Sequence, residues 1–248
     1  MIFEKITMDD AGNTSLSCYV LDGSEEFINI EKRPAVLIFP GGGYRFCSDR
    51  EAEPIAMAYL SEGYHAFILR YTVGPESVWP RPLEDAEKAM ELIRAKSSEW
   101  MVDTDRIAVI GFSAGGHLAA ALSTIGRNKP NATILGYPCI LDDRCSRLCT
   151  PKPGLDDKVT GETPPAFLFT TSDDKVVPAE NTLAFIKALD EADIPYEAHI
   201  FQSGPHGISL AKDHTCAGRE DFINPRISKW FEMSIGWLKE VFGNFNSK

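Results

Sequence analysis

The 248-residue sequence has no apolar run that approaches the ~20 residues needed to span a bilayer. Positive charge is also scarce, because 25 Lys and Arg stand against 36 Asp and Glu and give a formal net charge of −11. Nucleic acids and anionic membranes select clustered Lys and Arg, so we expect neither as the main partner. No internal repeat or linker-like stretch divides the sequence, which predicts one domain over residues 1–248.

Cysteine is too sparse to indicate a disulfide framework in a chain of this length. The spacing of Cys145 and Cys149, with Cys139 nearby, matches no common zinc pattern, so we expect neither a metal nor a cofactor. The first ten residues, MIFEKITMDD, contain neither the basic nor the apolar part of a secretory signal. These features together predict a cytoplasmic protein.

Short apolar runs alternate with longer amphipathic ones along most of the sequence. The runs predict strands at Ala35–Phe39, His65–Leu69, Ile107–Ile110, Ala132–Leu135, Ala166–Phe169 and Tyr196–Phe201. Apolar residues recur at helical spacing in three segments, one that begins at Leu83, one that ends at Leu189 and one from Ile227 to Phe242. This alternation predicts an α/β fold with a mainly parallel, twisted sheet and helices on both faces.

A glycine-flanked serine follows one of these strands. Gly111-Phe-Ser113-Ala-Gly115 lies between the run Ile107–Ile110 and an alanine-rich helical segment, which is the context of a nucleophile elbow. The glycines allow strand and helix to approach closely, so that Ser113 stands at the tip of a sharp turn. The alternative is a turn of small residues in which the serine is incidental.

A nucleophilic serine needs a base and an orienting carboxylate, and both follow later strands. Asp173 and Asp174 come after Ala166–Phe169, and His206 comes after Tyr196–Phe201. We predict His206 as the base, since the other histidines fall within strands, on the helix after Ser113, or in a polar loop; they are His65, His199, His117 and His214. The residues alone leave the choice between the two aspartates open.

Three consecutive glycines follow the first long apolar run and could supply donors for an oxyanion. We predict the backbone N–H groups of Gly42, Gly43 and Ala114 as those donors. The alternative is a phosphate-binding loop, but no Lys-Ser/Thr pair follows the glycines.

These motifs resemble those of the α/β-hydrolase superfamily, specifically the small acetyl esterases related to hormone-sensitive lipase and the acetyl xylan esterases. The resemblance spans residues 34–240. Pro40-Gly-Gly-Gly-Tyr44 is similar to the family's His-Gly-Gly-Gly motif, with Pro in place of His, and Arg70–Glu76 resembles its Tyr-Arg-Leu-Ala-Pro-Glu segment. Asp173-Asp-Lys-Val-Val-Pro178 is similar to the acid loop of prolyl-oligopeptidase-type hydrolases, which implies that Asp173 is the triad acid.

The sequence leaves little room for a cap domain over the site. About thirty residues precede the first predicted strand, and the segment Leu141–Pro165 is short and polar, so we expect a minimal cap or none. An open rim suits a short acyl group on a polar alcohol, because a long acyl chain needs an apolar cover. The residues predicted at this rim are Tyr44, Arg45, Trp79, Cys139 and Ile208, although Tyr44 and Trp79 could equally pack beneath loops.

The sequence therefore predicts a serine carboxylesterase with the triad Ser113, Asp173 and His206 and no cofactor. The expected substrate is a short-chain, acetyl-type ester of a small molecule such as an acetylated xylo-oligosaccharide. One alternative is a serine peptidase similar to prolyl oligopeptidases, and another is a non-catalytic binding protein on the same fold.

Overall fold

Eight strands form one sheet in the computed structural model, which describes residues 1–9, 13–141 and 148–245. The sheet order is β1-β2-β4-β3-β5-β6-β7-β8. The strands are β1 (Ile2–Thr7), β2 (Ser15–Val20), β3 (Arg33–Phe39), β4 (His65–Arg70), β5 (Val102–Phe112), β6 (Ala132–Gly136), β7 (Ala166–Thr171) and β8 (Tyr196–Phe201). The six predicted strands are all present, and the sheet is mainly parallel as expected.

The two N-terminal strands are absent from the sequence-based prediction. β1 pairs with β2, and β2 pairs with β4, both in antiparallel orientation. β1 is a largely exposed edge strand, and β2 reads Ser-Leu-Ser-Cys-Tyr-Val, so neither contains a continuous apolar run. The residues before Arg33 therefore include an extension of the sheet.

Five α-helices cover the two faces of the sheet. They are α1 (Glu53–Ser61), α2 (Arg81–Ala95), α3 (Ala114–Thr124), α4 (Glu180–Glu191) and α5 (Trp230–Phe242). Alternate residues of β3 face opposite sides, because the side chains of a strand alternate. Leu37 belongs to the core with α2, α3 and α4, whereas Val36 and Ile38 belong to the core with α1 and α5.

Trp230 anchors α5 to the sheet. Its ring is fully buried and stacks on Phe169 of β7 with centroids 4.4 Å apart and an angle of 9° between the planes. Its indole N–H donates to the backbone oxygen of Ser209 at 2.9 Å, which satisfies its polar atom. Burial of this aromatic surface fixes the C-terminal helix against the strand that precedes the predicted acid loop.

The parallel strands bring their C-terminal ends to one edge of the sheet. β3, β5, β7 and β8 run parallel in adjacent or near-adjacent positions, so the loops after Phe39, Phe112, Thr171 and Phe201 lie together. These are the loops that carry the predicted site residues. No helix within the described ranges is both long and apolar enough to cross a membrane.

Candidate active site

Ser113 occupies a strained turn between β5 and α3. Its φ is 54° and its ψ is −116°, a conformation that costs a non-glycine residue free energy. The turn is possible because glycine flanks it on both sides. A Cβ on Gly111 would lie 2.0 Å from the carbonyl oxygen of Gly115, and a Cβ on Gly115 would lie 2.0 Å from that of Phe39. The sequence motif is thus explained by close packing of β3, β5 and α3.

We expect Gly115→Ala to abolish folding or to destabilise the protein by several kcal/mol, because the added Cβ would collide with the rigid backbone of β3. Gly236→Ala is the matched control, since Gly236 also lies in a helix but its added Cβ would meet no atom within 4 Å. That control should gain about 0.5–1 kcal/mol from helix propensity. Urea unfolding of both variants tests this, and equal stability of the two would contradict it.

His206 lies between the serine and an aspartate. Its Nε2 is 2.8 Å from Ser113 Oγ, and its Nδ1 is 2.6 Å from Asp174 Oδ2. Because a carboxylate only accepts hydrogen bonds, the proton of the neutral ring belongs on Nδ1. The lone pair of Nε2 is then directed at the serine hydroxyl, which is the arrangement that a general base requires.

Asp173, which the resemblance implied as the acid, does not contact the histidine. It is exposed, and its Oδ1 accepts the N–H of Gly204 at 2.9 Å. Asp174 is buried, and its Oδ1 accepts the N–H groups of Val176 and Val177. The turn after β7 directs the second aspartate inward and the first outward, so the prediction of Asp173 as the partner of His206 is wrong.

The glycine loop lies beside Ser113, with its conformation set by positive φ angles. Gly42 has φ 132° and Gly43 has φ 63°, and the loop is closed by the Ser48 N–H donating to the Gly41 carbonyl at 2.9 Å. The Gly41 N–H is bound by Glu51 Oε2 at 2.8 Å. Within the described residues, the N–H groups of Gly42, Gly43 and Ala114 donate to no protein oxygen, which is what the predicted role of oxyanion donors requires.

Tyr44 lies beneath this loop instead of at the rim. Its ring is fully buried, and its hydroxyl donates to Nδ1 of His117 at 2.9 Å, while the Nε2–H of His117 donates to the Pro153 carbonyl at 2.9 Å. Burial lowers the pKa of His117 to about 4, which keeps this histidine neutral and able to accept. The ammonium of Lys152 lies 4.3 Å from the centre of the Tyr44 ring, and burial lowers its pKa to about 8. Of the two positions that the sequence left open for Tyr44, at the rim or packed beneath loops, the structure shows the second. His117 connects Tyr44 to the Pro153 carbonyl and so supports the glycine loop from below.

A cavity of about 490 Å³ opens over Ser113 and His206. Arg45 and Cys139 line it, as predicted. Trp79 does not, because its ring packs edge-on against His117 at 5.5 Å, and Ile208 does not, because it is buried in the core with α1 and α5. The remaining lining residues are Gly42, Gly43, Phe46, Ser48, Arg50, Glu51, Leu148, Val176, Val177, Gly207, Ala217, Arg219 and Phe222.

Several of these lining residues are missing from the sequence-based prediction. Two guanidinium groups lie against the ring of Phe222, with Arg50 4.9 Å and Arg219 3.9 Å from its centre. These residues come from two distant segments, a short 3₁₀ helix after the glycine loop and the stretch between β8 and α5. No local motif marks either segment, so only the fold brings them together.

The described residues contain no group of three or more His, Cys, Asp or Glu side chains placed to hold a metal ion. Cys145, considered with Cys149 as a metal ligand, lies outside the described residues.

Two models of known protein families match the chain. The BD-FAE family model matches residues 28–159, which is more than half of the chain, and the prolyl oligopeptidase family model matches residues 154–243. The chain belongs to the BD-FAE family. Its fold is that of the α/β hydrolases, so the resemblance inferred from the motifs is confirmed.

Relatives of this BD-FAE family member include named esterases. An α/β hydrolase enzyme from a Medee basin deep-sea metagenome library is 46% identical, with 98% of this chain and 99% of that chain covered and a TM-score of 0.93. An acetyl ester-xyloside bifunctional hydrolase from Caldicellulosiruptor lactoaceticus is 32% identical over 93% of this chain and 89% of its own, with a TM-score of 0.81. An acetylxylan esterase from Xylanibacter ruminicola is 28% identical over 83% of this chain and 46% of its own length. The chain spans less than half of the curated relatives that it matches first.

Proposed function

We propose that the protein is a serine carboxylesterase that removes short acyl groups, acetyl above all, from carbohydrate alcohols such as xylo-oligosaccharides. The observation that carries the proposal is the continuous hydrogen-bonded series from Asp174 through His206 to Ser113 at the floor of an open cavity. A serine hydroxyl attacks an ester only when a base removes its proton, and this geometry supplies the base.

In the first half of the reaction, Ser113 Oγ attacks the ester carbonyl as its proton passes to Nε2 of His206. Asp174 holds the ring by its Nδ1–H and stabilises the imidazolium that forms. The N–H groups of Gly42, Gly43 and Ala114 donate hydrogen bonds to the negatively charged oxygen of the tetrahedral intermediate and stabilise it. The imidazolium then returns its proton to the leaving alcohol, and an acyl-enzyme ester on Ser113 remains.

In the second half, His206 deprotonates a water molecule that attacks the acyl-enzyme, and the same N–H groups stabilise the second intermediate. Collapse of that intermediate releases the carboxylic acid and restores the Ser113 hydroxyl. Because both halves use the same base and donors, one arrangement of residues suffices for the whole cycle.

The lining of the cavity supports a short acyl group and a polar alcohol. Cys139, Val177 and Leu148 pack together on one wall as a small apolar surface. The cavity is also lined by guanidinium groups and aromatic rings from Arg45, Phe46, Arg219 and Phe222, which suit contacts with hydroxyls and sugar faces. The names of two relatives, an acetylxylan esterase and an acetyl ester-xyloside hydrolase, support the same substrate class.

We expect a series of p-nitrophenyl esters from acetate to octanoate to give the highest kcat/KM at acetate or propionate. Each methylene beyond the apolar wall would remain in water and contribute little of the ~0.8 kcal/mol that full burial gives. Acetylated xylo-oligosaccharides should be deacetylated in a parallel assay of released acetate. A maximum at octanoate would contradict the short-chain assignment.

A peptidase is the second candidate, because the prolyl oligopeptidase family model matches the segment that carries Asp174 and His206. A panel of proline-containing peptide amides distinguishes the two functions. The esterase assignment predicts turnover at least ~10³-fold below that of p-nitrophenyl acetate, a difference of about 4 kcal/mol in the barrier. Comparable turnover would favour the peptidase.

A further inference from the structure

Glu51 is a buried carboxylate at the edge of the candidate site. It ends a short 3₁₀ helix, Asp49–Glu51, is 2% exposed and lines the cavity over Ser113. No Lys, Arg or His lies within 4.0 Å of its oxygens in the part of the chain that the structure describes. Because no ion pair satisfies this buried carboxylate, its oxygens depend on hydrogen bonds.

Both oxygens of this carboxylate bind loops of the site. Oε2 accepts the N–H of Gly41 at 2.8 Å, and Oε1 accepts the hydroxyl of Tyr137 at 2.6 Å. The phenol oxygen of Tyr137 accepts in turn the N–H of Ser209 at 3.0 Å. Burial first, and Glu51 in addition, raise the pKa of Tyr137 well above its usual value, so the phenol stays protonated and remains a donor.

These contacts connect the two halves of the catalytic machinery. Gly41 immediately precedes the proposed oxyanion donors, and a Cβ at Gly41 would be 2.7 Å from Glu51 Oε2 and 3.2 Å from Ser113 Cβ. The ring of Tyr137 lies 5.1 Å from that of His206 in an edge-on arrangement. The glycine loop and the histidine loop thus meet at a single carboxylate.

We propose that Glu51 is a positioning residue that sets the glycine loop and the His206 loop relative to Ser113, and that its negative charge favours the imidazolium formed at His206. Gly41 is held by Glu51, so the next two N–H groups are left for the oxyanion. Tyr137 links Glu51 to the loop of His206, because its hydroxyl binds both Glu51 and the N–H of Ser209. This inference rests on the proposed esterase function and adds a residue to which nothing in the motif pattern points.

The charge of Glu51 should be visible in the pH dependence of the reaction. His206 also borders a second, shallower groove that Asp173, Lys175, Arg219 and Asp221 line. The charged and titratable groups that face His206 directly, through Tyr137, across the cavity or across this groove are Asp174, Tyr137, Glu51, Arg45, Arg50, Cys139, Arg219, Asp173, Lys175 and Asp221. Glu51→Gln changes the charge of only one of these. Loss of an anion makes the imidazolium less stable, so protonation of the base requires a lower pH.

The test compares Glu51→Gln with Glu87→Gln in hydrolysis of p-nitrophenyl acetate. Glu87 is also buried, but it pairs with Arg127 outside the cavity, so its variant should lose stability and keep its activity. For Glu51→Gln we expect kcat to fall about 10- to 100-fold and KM to stay within about threefold of the wild-type value. Small displacements of catalytic groups lower the rate of the chemical step by factors of this size. The acid limb of the kcat/KM profile should move to lower pH, which a merely structural role would not cause.

Tyr137→Phe provides a second variant if Glu51→Gln does not fold. It keeps the carboxylate and removes the link to Ser209, so we expect about a tenfold loss of kcat. A folded Glu51→Gln with wild-type kcat, an unmoved acid limb, or a fully active Tyr137→Phe would overturn the inference. Wild-type esterase activity in the same assay would leave the proposed function standing, whereas an inactive wild type would overturn that function itself.

Discussion

Ser113→Ala should lower kcat for p-nitrophenyl acetate by a factor of about 10⁴–10⁶, because the nucleophile is lost while the rest of the site remains. Alanine retains the Cβ of serine, so the strained φ of 54° is unchanged and no new clash arises. The melting temperature of the variant should therefore stay within a few degrees of the wild-type value. Steady-state kinetics and thermal unfolding on the same preparation test both parts.

Ser172→Ala is the matched control for this experiment. Ser172 lies at the same edge of the sheet, is exposed, and donates its hydroxyl to the Gln202 carbonyl at 2.7 Å, but it does not line the cavity. Its loss should leave kcat within about twofold of the wild type. Undiminished turnover in Ser113→Ala would exclude this serine as the nucleophile.

Asp174→Asn should lower kcat by a factor of ~10⁴. An asparagine can present its amide N–H to Nδ1 of His206, which places the ring proton on Nε2 and removes the lone pair that accepts from Ser113. The side-chain volume is nearly unchanged, so binding of the ester, and with it KM, should change far less than kcat. Kinetics at saturating ester separate the two parameters.

Asp173→Asn is the neighbouring control and distinguishes the two acids directly. Asp173 is exposed, and an asparagine oxygen can still accept the N–H of Gly204. We expect kcat within about twofold of the wild type. If Asp173→Asn were inactive and Asp174→Asn active, Asp173 would be the acid of the triad, as the family resemblance implied.

The parallel part of the fold could be predicted because its signal is local. β3, β6 and β7 are short apolar runs buried on both sides, and such runs stand out from their surroundings in a sequence. β1 is exposed and β2 interleaves serine with apolar residues, so their identity as strands depends on pairing with β4. That pairing is a long-range property that no window of sequence contains.

The candidate site shows the same division between local and long-range information. Ser113 and His206 were found because each follows a strand, and strand ends converge at one edge of a parallel sheet. The residues left the choice of acid open, and the family resemblance selected the wrong aspartate. Only the turn after β7 shows that Asp174 is the one directed inward, where one of its oxygens accepts the N–H of Val176 and the other binds His206. Glu51, Arg219 and Phe222 depend on contacts between distant segments, and nothing adjacent to them in sequence marks them.

Covalent labelling of Ser113 tests the central claim most directly. The wild-type protein would be treated with a serine-directed fluorophosphonate, digested and analysed by mass spectrometry. A single adduct on the peptide that contains Ser113, formed with loss of esterase activity and absent from Ser113→Ala, is the result that this mechanism predicts. An adduct on another residue, or inactivation without modification of Ser113, would contradict it.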